Sequence, residues 1–369
     1  MTEPYLIPQN ELPEKYISIH TSDRNGFRRC RRRWDFTSGL RQHLEPTQTN
    51  IKFFVGKGFH FSLEDYHGYN RFGHPAKAFQ AYYNAYNEVA KEQETEDYMS
   101  IDYQEAIEFV PGLFEHYLNE WLPMRNQWKT LWIDKKPMVE VEFSIYIPEL
   151  SEYMKTPVIY QGKFDAVWID QIGRIWIAEY KTASAFEVDK LQTDPQVSNY
   201  SWASQYVLPE PAFGVLFTQF KKDYPEAPRE LKNGHISTAK DQKTTSKMLT
   251  KTLNEKYGLV PPKYNDTLKA LMETETDNGD RFIRYDYVIR NAHHRANEYP
   301  KILAEGYEML NKNLQIYPNP TADCSWQCDF RQPCLAMDGG SDWKFMIKEN
   351  YQIRKEGKEA WESKVQYQK

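Results

Sequence analysis

The sequence predicts an α/β protein: a central mixed sheet flanked by helices, with a helical N-terminal part and a cysteine-bearing C-terminal end. Two patterns carry this expectation. Helical periodicity fills most of residues 22–128, before the first convincing strand. β-Branched and aromatic segments then cluster from residue 138 to residue 220 with one helical pattern among them, the alternation expected of an α/β core.

The elements follow in order. Residues 1–20 read as an extended, proline-containing lead. Helices are expected over Ser22–Leu40, Phe54–Tyr69, Pro75–Lys91 and Tyr103–Trp128. Met138–Ile147 alternates as a strand, and Val158–Ile169 and Arg174–Lys181 flank the short turn Asp170-Gln171-Ile172-Gly173, a hairpin signal. A helix near Asp194–Val207 leads to a strand at Phe213–Phe220. Residues 221–262 are polar and interrupted, with a helical stretch at Lys240–Asn254. Arg281–Ile289 reads as a strand, Ala292–Gln315 as a helix, and a charged tail begins near Asp342. The expected division is an N-terminal helical region (1–130), a core (131–320) with an insertion at about 221–280, and a cysteine-rich loop with the tail (321–369).

Composition narrows the class. Apolar residues make up 40% and charged residues 27%, as in soluble globular proteins. The net charge of −5 argues against a protein that coats nucleic acid by charge alone, but not against an enzyme with a local basic groove. The clearest basic cluster is Arg28, Arg29, Arg31, Arg32 and Arg33 around Cys30; it reads equally as a solvated helix face or as a phosphate contact. No long apolar run suggests a membrane span, and the N-terminus lacks a signal-peptide pattern, so a cytoplasmic location is expected. In that reducing setting the four cysteines are better read as metal ligands than as disulfides.

The hairpin carries the chemistry. Side chains alternate faces along a strand, so Ile175, Ile177, Glu179 and Lys181 share one face, and a turn near Ile172 sets Asp165 opposite Glu179. Two opposed carboxylates repel unless a cation lies between them, and Mg²⁺ or Mn²⁺ prefers such oxygen ligands. Lys181 reaches the same spot and would neutralise charge developing on a phosphate or position a water. The plain alternative is a structural salt bridge, but the rest of the strand, IWIAEYK, is apolar, and charges there need a reason.

The string QGKFDAVWIDQIGRIWIAEYKTA resembles the second and third motifs of the PD-(D/E)XK nucleases, in their RecB-like branch. The resemblance implies a restriction-endonuclease-like core, metal binding by Asp165 and Glu179 with the Tyr180 carbonyl completing the shell, and catalysis by Lys181. DPQVSNYSWASQ is similar to the family's Q-x-x-x-Y motif at Gln196 and Tyr200, implying contacts to the DNA backbone and to the lysine. VGKGFHFSLEDYHG is similar to its G-x-x-x-H element at Gly56 and His60, implying a histidine metal ligand on an N-terminal helix. Glu64, one turn on, would either orient that imidazole or lie on the surface. Either Glu140 or Glu142, on the preceding strand, is a candidate outer ligand of the metal or a water.

Cys324, Cys328 and Cys334 form a C-x3-C-x5-C pattern, with Cys30 far upstream. Zinc also takes four cysteines but usually through paired C-x2-C units, whereas iron–sulfur clusters tolerate irregular spacing. The arrangement resembles the iron–sulfur nuclease module of AddB-type and CRISPR-associated RecB-like exonucleases, in which one cysteine precedes the core and three follow it. It implies a [4Fe–4S] staple joining the chain ends, with zinc as the alternative; the three-residue first gap departs from the commoner two. The resemblance spans Cys30 to Cys334 and implies a Mg²⁺- or Mn²⁺-dependent deoxyribonuclease acting on single-stranded DNA or duplex ends. No G-x-x-x-x-G-K-[ST] loop occurs, so a nuclease without a helicase motor is expected. A phage exonuclease of replication, recombination or repair is the leading expectation, with a recombinase or single-strand-binding protein as possible partner. The alternatives are a DNA-end-binding module with weak cutting and a zinc-stapled structural protein.

Overall fold

A computed structural model of the chain describes residues 3–47, 51–92, 101–124, 127–354 and 364–365. Two short strands, β1 (Tyr5–Leu6) and β2 (Ile17–His20), precede helices α1 (Thr21–Arg29) and α2 (Arg31–Thr37) and strand β3 (Leu44–Pro46). Three long helices follow, α3 (Ile51–His67), α4 (Pro75–Glu92) and α5 (Ile101–Met124). The chain then enters strands β4 (Trp128–Thr130), β5 (Trp132–Ile133), β6 (Lys136–Pro137) and β7 (Val139–Tyr146), helix α6 (Pro148–Met154), and the hairpin β8 (Val158–Asp170) and β9 (Ile175–Ala183). Helix α7 (Pro195–Val207) crosses to β10 (Gly214–Lys221). The polar stretch carries α8 (Ser246–Tyr257) and α9 (Asn265–Met272) before β11 (Ile283–Ile289) and α10 (Ala292–Leu310). The C-terminal part holds α11 (Arg331–Asp338), α12 (Trp343–Asn350) and β12 (Tyr351–Ile353).

The long strand β8 organises the main sheet, whose path runs β1-β7-β8-β9-β10-β11. Its first half pairs with β7 on one side and, in parallel, with β2 on the other; its second half pairs with β4 and β9. β9 and β10 are parallel and joined through α7, and β10 and β11 are antiparallel. β8 and β9 read as nearly continuous apolar runs because both faces are covered. One face packs Ala166, Trp168, Trp176 and Tyr180 against α3, α4 and α5. The other packs Val167, Ile175, Ile177 and Phe217 against α7 and α10. The insertion has a small core of its own around Leu249, Leu253, Tyr264 and Leu271.

Several elements differ from the sequence expectation. The lead supplies β1 and β2 to the main sheet; four residues of β-branched alternation are too few to stand out without their partner β8. The expected Ser22–Leu40 helix breaks at Cys30, whose backbone is extended (φ −163°, ψ 114°). The backbone N–H of Asn319 donates to Cys30 Sγ (3.4 Å), and its side chain donates to the Arg29 carbonyl freed by the break (3.0 Å). Trp128 opens a strand opposite Asp170 rather than closing a helix. The insertion helix starts at Ser246, where the Thr245 side chain caps the Met248 N–H (3.2 Å). α6 and α9 have no counterpart in the expectation. The charged tail begins as α12 and β12, and its residues 355–363 and 366–369 lie outside the described residues.

Candidate active site

The β8–β9 turn is built as the sequence suggests. Gly173 takes φ 85°, open to glycine at little cost, and Asp170 accepts the backbone N–H groups of Ile172 (3.1 Å) and Arg174 (2.9 Å). Ala166 pairs with Ala178 and Trp168 with Trp176, so the same register carried one residue further sets Asp165 opposite Glu179. On the crossover, the Asp194 side chain caps α7 by accepting the Gln196 N–H (2.7 Å), and Pro195 fills the first helical position. These local choices aim Gln196 at the end of β9.

Lys181 Nζ lies 2.5 Å from Glu179 Oε1 and donates to Gln196 Oε1 at 3.1 Å. Gln196 Nε2 in turn donates to Glu179 Oε1 (2.8 Å) and to the Tyr200 hydroxyl (2.7 Å). Asp165 Oδ2 accepts the Tyr180 backbone N–H at 2.8 Å, and Asp165 Oδ1 faces His60 Nδ1 at 3.3 Å. The same imidazole nitrogen stands 3.8 Å from Glu140 Oε1, and Lys163 Nζ binds the other oxygen of Glu140. Glu140 holds a left-handed backbone (φ 47°), a conformation that costs a non-glycine residue on the order of 1 kcal/mol. Glu179 Oε2 is buried and has no hydrogen-bond partner.

The titration follows from this crowding. Burial pushes the Glu179 carboxyl up, the Asp165 charge adds to it, and the group reaches about 7 despite Lys181. Burial would raise Asp165 too, but the His60 charge and hydrogen bond, the Tyr180 N–H and Lys181 hold it below the usual carboxylate range. For His60, burial is outweighed by Asp165 and Glu140, and the imidazole is pushed up to about 10. Burial likewise opposes the Lys181 charge, and Glu179 outweighs it, so the ammonium is kept. One carboxylate held low, a second driven toward neutrality and an orphaned buried oxygen together describe a place short of positive charge. Among the described residues, one ligand atom each from His60, Glu140 and Asp165 lie within 4.8 Å of one another. This oxygen-and-imidazole set fits a divalent cation such as Mg²⁺ or Mn²⁺, with Glu179 beside it.

The family comparison agrees with the geometry: the PD-(D/E)XK nuclease superfamily matches residues 21–335. The chain belongs to the PD-(D/E)XK nuclease superfamily. No curated protein matches the chain. The mixed sheet with helices on both faces is the PD-(D/E)XK core. Membership implies a nuclease, a hydrolase of phosphodiester bonds that uses divalent metal and acts on DNA. Among the described residues no helix is long and apolar enough to cross a membrane.

Within the PD-(D/E)XK core the residues singled out in the sequence fall into three places. Asp165, Glu179, Tyr180, Lys181, Gln196 and His60 gather at the end of the hairpin. Tyr200 stands behind Gln196, buried at 5% exposure, so its hydroxyl bears on the glutamine. Of the two glutamates on β7, Glu140 joins His60 and Asp165, while Glu142 is exposed and pairs across the ladder with Lys163. Lys163 was missed in the sequence; it lies two residues before Asp165, and period two was the signal for it.

The arginine cluster is largely engaged within the protein. Arg28 pairs with Glu305 and Arg31 with Glu308, both on α10. Arg32 donates to the Cys334 carbonyl (3.2 Å) and to Asp338 (2.7 Å) on α11. The four cysteines form no disulfide, and each is partly buried. Burial pushes the Cys328 thiol up, and the Phe330 backbone N–H and the Arg33 charge pull against this. Cys334 Sγ receives Arg32 at 3.4 Å.

Proposed function

We propose that this protein is a Mg²⁺- or Mn²⁺-dependent DNA exonuclease, and that the observation carrying the proposal is Glu179. Its one oxygen is held by Lys181 and Gln196 while the other is buried and unpartnered beside Asp165. His60, Glu140, Asp165 and Glu179, with the Tyr180 carbonyl, would hold the metal, which supplies Lewis acidity at a phosphate oxygen and lowers the pKa of a bound water. Lys181 keeps its charge against burial and presents it at the mouth of the site, where negative charge grows on a phosphodiester under attack. Gln196 fixes the lysine and the glutamate together, and Tyr200 fixes Gln196. His60 faces one oxygen of the buried Asp165 carboxylate, and the Tyr180 N–H holds the other.

The exonuclease mode, a setting in phage replication, recombination or repair in the host cytoplasm, and a recombinase or single-strand-binding partner rest on the resemblance to RecB-like iron–sulfur exonucleases. So does a [4Fe–4S] cluster on Cys30, Cys324, Cys328 and Cys334; the segment 319–324 brings the first two to one stretch of chain, its Asn319 N–H donating to Cys30 Sγ (3.4 Å) and its Thr321 N–H to Cys324 Sγ (3.4 Å). For Arg28, Arg29, Arg31, Arg32 and Arg33 we favour a bracing role over phosphate contact, because Arg28, Arg31 and Arg32 are in ion pairs with α10 and α11.

The test is digestion of end-labelled single-stranded, duplex and closed-circular DNA by anaerobically prepared protein in Mg²⁺, Mn²⁺ or chelator. Metal-dependent release of nucleotides from ends, with circles spared, is expected. Asp165→Ala and Glu179→Ala should each lower the rate at least about a hundredfold, the scale of several kcal/mol of lost charge stabilisation. Near-normal turnover by Glu179→Ala at saturating Mg²⁺ would overturn the site assignment.

A further inference from the structure

A second surface, outside the hairpin chemistry, lies at the C-terminal end of α3. The β5–β6 hairpin is closed by Asp134 and Lys135, both left-handed (φ 49° and 64°). Two non-glycine residues in that region are locally costly, so the turn is held by what surrounds it. Trp132 opens the hairpin opposite Pro137 and is 49% exposed. Its ring meets that of Tyr69, itself 59% exposed, edge-on at 6.0 Å and 90°. Two large aromatic rings are thus held together in solvent by short, well-anchored elements. The anchoring is specific: Thr130 Oγ1 donates to the His67 carbonyl (2.8 Å), and a Cβ at Gly68 would stand 3.1 Å from Val139 and 3.6 Å from Pro137.

The surroundings are basic. Lys129 and the turn residue Lys135 are exposed beside Trp132 in the chain, Lys136 is exposed on the other face of the hairpin with Ile133, and Asp134 is the one acidic residue of the segment 129–137. The pair is also near the site along the chain. Pro137, which faces Trp132, is three residues before Glu140, so the pair lies within roughly 16 Å of Glu140 by chain geometry. That is a reach of a few nucleotides.

We propose that Tyr69 and Trp132 form a base-stacking platform for a single-stranded DNA segment that leads to or from the hairpin site, with Lys129 and Lys135 taking its phosphates. This rests on the nuclease reading above. Duplex DNA hides its base faces, so a pair of exposed rings flanked by lysines fits an unpaired strand, in which each base offers a face to stack on.

The experiment uses the full chain in chelator, so that nothing is cut, and measures fluorescence polarisation of labelled oligothymidylate, the same length of abasic strand, and a duplex. Trp132→Ala with Tyr69→Ala should weaken oligothymidylate binding about tenfold or more, the scale of lost base–aromatic stacking. It should leave abasic-strand and duplex binding within about twofold, and Trp132→Phe should restore most of the loss. Hydrolysis of bis(p-nitrophenyl) phosphate in Mn²⁺, which needs no base, should be unchanged. Unchanged oligothymidylate affinity, or an equal loss on abasic strand and duplex, overturns the platform. If stacking-dependent binding appears but the wild type hydrolyses neither DNA nor the ester, the platform stands and the nuclease reading fails.

Discussion

Lys181 and Gln196 share a single oxygen of Glu179, and this sharing sets what each substitution should do. Lys181→Ala removes a charge poised for the reacting phosphate but none of the groups assigned to metal. Its loss should therefore fall on kcat, by at least about a hundredfold, with DNA affinity changed less than about threefold. Single-turnover rates beside binding in chelator separate the two; a large loss of affinity with kcat intact contradicts the role. His67 makes a different residue-scale case. It is buried, donates to or accepts from the Tyr117 hydroxyl at 2.7 Å, and burial drives its imidazole down to about 3. An imidazole depressed below its unfolded value of about 6.5 stabilises the fold above that pH and loses this as the pH falls, at up to about 1.4 kcal/mol per pH unit. Denaturant melts from pH 7.5 to pH 4.5 should show a shallower acid loss for His67→Gln than for the wild type. Equal slopes would remove His67 from the account of acid stability.

At the scale of elements, α7 joins fold and site through its cap. Asp194 closes the first turn and Gln196 works from that turn, so fraying it should loosen the lysine. Asp194→Ala should cost about 1 kcal/mol of stability. It should also lower kcat, while Asp194→Asn, which still caps, should recover both. Recovery of the melting temperature without recovery of kcat would detach the cap from the site. This helix and the hairpin were legible in the sequence because their signals are local: Asp-Pro at a helix start, a glycine turn, period two along IWIAEYK. Other features were hidden because their causes are distant. Nothing in RRCRRR announces a break at Cys30; the break is stabilised by Asn319. Period two puts Glu140 and Glu142 on one face, and the left-handed backbone at Glu140 is what separates them. Which arginines are buried depends on α10: Arg24 is fully buried against Glu298 (2.9 Å) and Glu305 (2.6 Å), and the sequence does not distinguish it from its neighbours.

Across the whole molecule, the chain ends are joined by more than cysteine. β3 pairs with β12, Phe36 stacks on Phe330 at 4.9 Å, Phe330 stacks on Tyr351 at 4.7 Å, and Arg32 reaches Asp338. A cluster on the four cysteines would close a loop of nearly three hundred residues, which restrains the unfolded chain strongly. Cluster loss should therefore be graded. The ladder and the aromatic stack remain, and the main sheet does not depend on the cysteines for its packing. Anaerobically prepared protein should be brown, with about four irons per chain. Cys328→Ser should lose the colour and melt earlier. Its first transition should involve α1, α2 and the C-terminal elements, read by hydrogen exchange, while the β8–β9 hairpin stays protected. Nuclease activity should fall with that first transition, because α1 carries Arg24, whose guanidinium binds Asn199 on the helix that holds Gln196. Retention of full activity after complete iron loss would show that the ends do not support the site. Stoichiometric zinc without iron, after anaerobic preparation with iron supplied, would replace the cluster by a zinc staple and leave the hairpin chemistry untouched.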